Sequence, residues 1–160
     1  MIERRRFLAR QRPAVLRFAA PSELGLASRV ASELERMAGG IVRLGPPIRT
    51  PMPPDVKAAV GTLPPGTVAI VPGELSAPGL RRVLGWSDGS AAAVTTEVGA
   101  PVADRVARLV AHEAAHLAGL GHCRRRNCLA RSVSAPEELD ALDGFCPRCS
   151  RALSSRPGRA

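Results

Sequence analysis

Apolar positions along the chain change their period several times, and each change marks an element. Residues 14–19 (AVLRFA) predict a first strand, stopped by Pro21. Leu24, Leu26, Val30, Leu34 and Met37 then recur at helical spacing, with Ser22 as a cap and Gly39-Gly40 as the stop. Residues 41–44 (IVRL) predict a second strand, and the Pro-rich passage from Pro46 to Pro54 can only be an irregular connection. After Pro64-Pro65-Gly66, the run TVAIVP at 67–72 is the strongest strand signal in the chain. Segments 81–86 and 91–96 predict two strands joined by a turn at Ser87-Asp88-Gly89. From Pro101, suited to a first helical position, to about Leu117, a stripe of Val102, Val106, Leu109, Val110 and Leu117 predicts an amphipathic helix. A strand–helix–strand opening followed by further strands predicts an α/β (α+β) fold, a mixed sheet with helices packed on it.

With 160 residues and 45% hydrophobic content, the chain suffices for one core and not for two. The formal charge of +9 invites a nucleic-acid reading, so its location matters. Residues 1–17 hold six arginines against Glu3, and residues 148–160 hold four arginines and no acid. Residues 18–147 carry thirteen basic and thirteen acidic side chains and are formally neutral. The excess therefore sits at the two ends, as in solvated tails, and a phosphate-binding surface is the weaker reading. Aromatics are limited to Phe7, Phe18, Trp86 and Phe145, with no tyrosine, which excludes phenol chemistry and disfavours base stacking. No apolar run has the length of a membrane span, and the stretch after Pro13 is broken by Arg17, short of a signal-peptide core. A cytoplasmic protein is expected, whose four cysteines are free thiolates or metal ligands.

The chemistry begins at His112, where the chain reads HEAAHLAGLGHC. Two residues four apart on a helix are about 40° from each other around its axis, so the imidazoles of His112 and His116 converge on one cation. Glu113 points in a neighbouring direction, poorly placed to ligate and well placed to take a proton from a water held by the metal. Gly119 lets the backbone leave the helix through a left-handed conformation and return His122 as a third nitrogen. Three protein ligands leave a fourth position for water, the arrangement of a catalytic zinc.

The cysteines form a second constellation. Four residues separate Cys123 from Cys128, two separate Cys146 from Cys149, and seventeen lie between the pairs. This is the spacing of a closed four-thiolate structural zinc, with a pair of disulfides as the alternative. Two zinc ions are therefore expected. The region after residue 122 has too few apolar side chains for its own core, so metal binding is expected to condition its folding. Ser134 and Glu137 fit a capping box for a short helix in PEELDAL.

The run from His112 to Cys149 resembles the archaemetzincins, zinc peptidases of the metzincin group. Their signature, HExxHxxGxxHC followed by two further cysteine-bearing segments, is matched by His112, Glu113, His116, Gly119, His122, Cys123, Cys128, Cys146 and Cys149. The segment from Val68 to Thr96 is also similar to the stretch preceding the active-site helix in that family. The resemblance implies an upper subdomain of twisted sheet and helices at 14–122, a lower zinc-binding subdomain at 123–152, and tails at 1–13 and 153–160. It also implies hydrolysis of a peptide or protein substrate in the cleft between the subdomains by a monomer. Ala130 departs from the pattern, standing where metzincins carry a methionine beneath the catalytic metal. Its loss is expected to leave a void under the histidines. The substrate is expected to lie extended along an edge strand, with 91–96 as the candidate. The rival is a non-catalytic zinc-stabilised module, with Arg124, Arg125 and Arg126 offering a basic edge to nucleic acid or an inactive scaffold binding peptides.

Overall fold

The computed structural model describes residues 14–18, 24–38, 42–46, 48 and 51–155. The basic segment 1–13, the Ser22 cap, the Gly39-Gly40 stop and residues 156–160 lie outside that set. Seven strands are present among the described residues: β1 Ala14–Phe18, β2 Val42–Leu44, β3 Thr67–Val71, β4 Leu75–Ala77, β5 Leu80–Val83, β6 Gly85–Ser87 and β7 Ala92–Thr95. The α-helices are α1 Leu24–Ala38, α2 Val56–Gly61, α3 Val102–Leu117 and α4 Pro147–Ser155, with a 3-10 turn at Pro136–Ala141. The main sheet has the order β2-β1-β3-β7-β6, and β4 and β5 form a separate antiparallel pair. Strands β2, β1, β3 and β7 run parallel, while β6 is antiparallel to β7 with Trp86 opposite Ala93.

Every residue of β3 and β7 is buried, as expected for parallel strands covered on both faces. The two-residue period of a strand divides their side chains between two cores. Val68, Ile70, Ala92 and Val94 face α1 and α3, where they meet Val30, Leu34, Val106, Leu109 and Val110. Ala69, Val71, Ala91 and Ala93 face the other way, against Val56 and Val60 of α2 and Leu75 of β4. The molecule is thus a three-layer sandwich, and the mixed α+β architecture read from the sequence is the one observed.

Several boundaries differ from the sequence reading. The stretch 81–86 is two strands and not one: β5 pairs with β4, the chain breaks at Leu84, and only Gly85–Ser87 joins the main sheet beside β7. Helix α2 lies in a stretch the periodicity left unassigned. With six residues it is too short to show a repeat, and its one local signal is Asp55, whose carboxylate accepts from the Ala58 amide at 2.8 Å. Pro101 is the N-cap of α3, one position before the first helical residue. The segment 136–141 is a 3-10 turn without a side-chain cap; Ser134 instead donates to Glu138 at 3.0 Å. Helix α4 runs to Ser155 and buries Leu153, past the tail boundary expected at 153.

The region after residue 122, too poor in apolar side chains for a core of its own, shares the core of the sheet and helices. Leu129, Leu139 and Leu142 are fully buried in the same core as α3, a contribution of ~1.5–3 kcal/mol for each side chain. Arg105 reinforces this junction: its guanidinium grips Asp140 through two bonds of 2.9 and 2.7 Å and donates to the Val98 carbonyl at 2.6 Å. Arg108 donates to the Leu142 carbonyl at 2.8 Å. Helix α3 is therefore held between the sheet and the cysteine-bearing region, fixing the direction in which its C-terminal half points.

Candidate active site and metal centres

Helix α3 carries His112, Glu113 and His116 on its final turns and then stops at Gly119. That glycine has φ +81°, the left-handed conformation expected of it. The Leu120 amide bonds back to the Ala115 carbonyl at 2.9 Å and the Gly119 amide to His116 at 2.7 Å, a paired C-terminal closure. The turn reverses the chain so that His122 comes back over the helix end. Its ring stacks on His112 at 5.3 Å between centroids and lies 4.8 Å from His116. One nitrogen from each of the three imidazoles lies within 4.8 Å of the other two.

The hydrogen bonds fix how these rings present themselves. Nδ1 of His112 donates to the Leu129 carbonyl at 2.8 Å, and Nδ1 of His116 to the Leu120 carbonyl at 2.7 Å. Both ring protons are committed to backbone oxygens, so each Nε2 carries a bare lone pair. Those two Nε2 atoms face each other at 3.0 Å. Two lone pairs at that distance repel unless something positive lies between them. Protonation is a poor answer, because burial first of all, together with the neighbouring histidines, lowers the pKa of His112 to about 4; burial also lowers that of His116. A divalent cation that prefers nitrogen ligands fits this donor set, and carbonyl acceptors behind ring nitrogens are a usual second layer of such sites. His112 is buried, His116 half-buried and His122 exposed, so the cluster opens to solvent on the His122 side.

Glu113, next to His112 in the chain, is not among the side chains that gather as ligands. It is only 5% exposed. Burial alone pushes its pKa up to about 8, so in the metal-free protein it holds a proton at neutral pH. Its carboxylate rests against the backbone of β6: a Cβ built on Gly85 would stand 2.8 Å from Oε1. Gly85 has no local motif to announce it, and neither do the carbonyls of Leu120 and Leu129; all three become visible only when the elements are packed.

The four cysteines, all free thiols, gather as their spacing predicts. Their sulfurs lie within 4.8 Å of one another, with Cys123 and Cys146 at 3.9 Å. Backbone amides of Arg125 and Cys146 donate to the sulfurs of Cys123 and Cys128 at 3.5 and 3.4 Å. Burial, then the neighbouring thiols, pushes Cys149 far up, and burial raises Cys128, so four thiolates cannot coexist here without a cation. The donor chemistry fits a closed tetrahedral zinc.

Ala130 is buried in the turn that follows Cys128. It is 2% exposed and packs with Cys128, Cys146 and Cys149, while its carbonyl accepts from the Cys123 amide at 2.9 Å. It packs against the sulfur cluster, and the carbonyl one residue earlier, that of Leu129, accepts from His112. The strand at 92–95 is no edge: β7 is flanked by β3 and β6, and β6 is the edge beside the site.

Comparison with known proteins agrees with this geometry. Residues 96–155 match the model of Peptidase family M54. A curated archaemetzincin of Methanopyrus kandleri is 41% identical over 51 residues, which span 31% of this chain and 29% of that protein. The crystal structure of the archaemetzincin from Methanopyrus kandleri superposes with a TM-score of 0.70 at 22% identity, covering 89% of this chain and 94% of that one. A zinc-dependent peptidase from Methanocorpusculum labreanum gives 0.72 at 20% identity, covering 87% and 98%. The family-model match spans both ligand clusters, and the fold is shared with these archaemetzincin-type structures along nearly the whole length of this chain.

Proposed function

We propose that the chain is a zinc-dependent peptidase in which His112, His116 and His122 hold the catalytic ion and Glu113 is the general base. Cys123, Cys128, Cys146 and Cys149 hold a second, structural zinc. The observation that carries the reading is the pair of Nε2 lone pairs 3.0 Å apart with both Nδ1 protons engaged. Zinc bound there supplies Lewis acidity, lowering the pKa of water toward about 7 and polarising a carbonyl.

The rest is the work of the chain's own groups. Glu113 takes the proton of the attacking water at its carboxylate and hands it to the departing amine. A carboxylate can both accept and return a proton, and with no tyrosine in the chain no phenol assists it. The substrate lies extended along the outer side of β6, pairing through its backbone with Gly85–Ser87, and this edge replaces the 91–96 strand expected from sequence. No described helix is long and apolar enough to cross a membrane, and the free thiols fit a reducing cytoplasm.

The test is a mixed peptide library offered to zinc-loaded parent and to Glu113→Ala. Cleavage by the parent, reduced by orders of magnitude in the variant, is the expected result. Equal cleavage by both, or none by either, overturns the reading.

A further inference from the structure

Gly85 stands on the edge strand without the usual reason for a glycine. Gly119 and five other described glycines have positive φ, a conformation other residues avoid; Gly85 is not among them. Its backbone is ordinary strand, paired opposite Val94, and such a position favours a residue with a side chain. What forbids one is space. A Cβ there would approach Glu113 Oε1 to 2.8 Å, and the Ala93 carbonyl and Val94 Cγ1 each to 3.2 Å. The latter two are tighter than most real Cβ contacts and would require the buried strand β7 to give by a few tenths of an ångström. The first is closer than a real Cβ contact, so with a side chain at position 85 the Glu113 carboxylate, the far end of a flexible side chain on a buried residue, would have to move from where it is set.

We propose that Gly85 is a positioning residue for the proton-transfer step: its bare backbone forms the wall against which the Glu113 carboxylate is set, between the helix that carries the histidines and the strand offered to the substrate. This assignment rests on the peptidase reading above for its catalytic consequence and on the packing alone for the contact. One missing methyl group lets the edge strand lie close enough to the helix for a general base and a strand-bound peptide to share one small space.

Two readouts test it. In zinc-loaded protein, Gly85→Ala lowers kcat by about 100-fold, the cost of misplacing a reacting group by roughly an ångström, while KM changes little and zinc content stays at the parent value. In metal-free protein, a double-mutant cycle on Tm separates contact from chemistry. Gly85→Ala lowers Tm by several degrees more in the parent than in the Glu113→Ala background, where the carboxylate has been removed. Equal Tm losses in both backgrounds, or unchanged turnover, overturn the proposal. If Gly85→Ala alone fails to fold, a folded Gly85→Ala/Glu113→Ala protein supports the contact, and an unfolded one overturns it in favour of the clash with β7. A parent without turnover defeats the peptidase reading, and the Tm cycle still decides whether Gly85 sets the carboxylate.

Discussion

The two ligand clusters are built on opposite plans. The histidine cluster comes from eleven consecutive residues: a helix end, a left-handed glycine and the return that follows. It is open, with one ring buried, one half-buried and one exposed. The cysteine cluster joins two short loops separated by seventeen residues and closes on itself, with three of four residues buried. Openness leaves room for a substrate and a water, whereas closure leaves a metal with nothing to do except hold chain together. The difference teaches that the same chemical act, gathering donors around a cation, serves reactivity when the donors are local and the far side is bare. It serves stability when the donors are distant in sequence and the shell is complete.

Breaking the closed cluster should have the largest effect on the fold. Cys128→Ala removes a fully buried donor and is expected to lower Tm by about 10 °C or more, on the order of several kcal/mol for a structural zinc. Hydrogen exchange should show α4 and the loop 123–128 losing protection while Leu129, Leu139 and Leu142 keep the intervening stretch docked. Loss of protection throughout α3 as well would mean the two regions are one cooperative unit.

Breaking the open cluster should cost chemistry more than fold. His116→Ala is expected to abolish peptide cleavage and to reduce bound zinc from two ions to one. Elemental analysis of purified parent and variant reads this directly, and a parent with a single ion contradicts the pairing of the two sites.

Glu113 sharpens the comparison through pH. Its pKa of about 8 in the folded, metal-free protein lies above the ordinary 4.5. The folded state therefore binds this proton more tightly than the unfolded chain does. Its favourable contribution is complete below about pH 4.5 and is lost as pH rises through 8, by up to ~1.4 kcal/mol per pH unit. Metal-free Glu113→Gln should accordingly match the parent in Tm near pH 4.5 and exceed it increasingly toward pH 8.5. Thermal melts across that range without metal check the sign, and parallel curves would show that the carboxylate is hydrated.

The smallest effect concerns Ala130. Because it is buried against three of the cysteines, Ala130→Met should overpack the sulfur cluster and cost about 1–3 kcal/mol, with little change in histidine geometry. A gain in Tm, or a gain in turnover, would locate free volume beneath the histidines after all.

Much of the candidate site was legible in advance because its determinants are local. The four-residue step from His112 to His116, the need for φ > 0 at Gly119 and the short loops between paired cysteines are properties of a few neighbouring residues, and helical geometry converts them into direction without reference to the rest of the chain. Strand β3 was legible for a related reason, since a run as apolar as TVAIV has only a doubly covered position to occupy.

Other features depended on what lies across a gap. The break at Leu84, which assigns Leu80–Val83 to one sheet and Gly85–Ser87 to another, follows from which partner strand is nearby. The same holds for the interior place of β7, the docking of Leu129, Leu139 and Leu142 into the main core, and the seat of Ala130 among sulfurs. The amino-acid order determined the donors, their spacing and the points where the backbone can reverse, because these are short-range facts of covalent geometry and hydropathy. Only the packed structure decided which carbonyls orient the rings, which strand is the edge and why position 85 has no side chain, because clearance between atoms far apart in the chain exists only once the layers have closed.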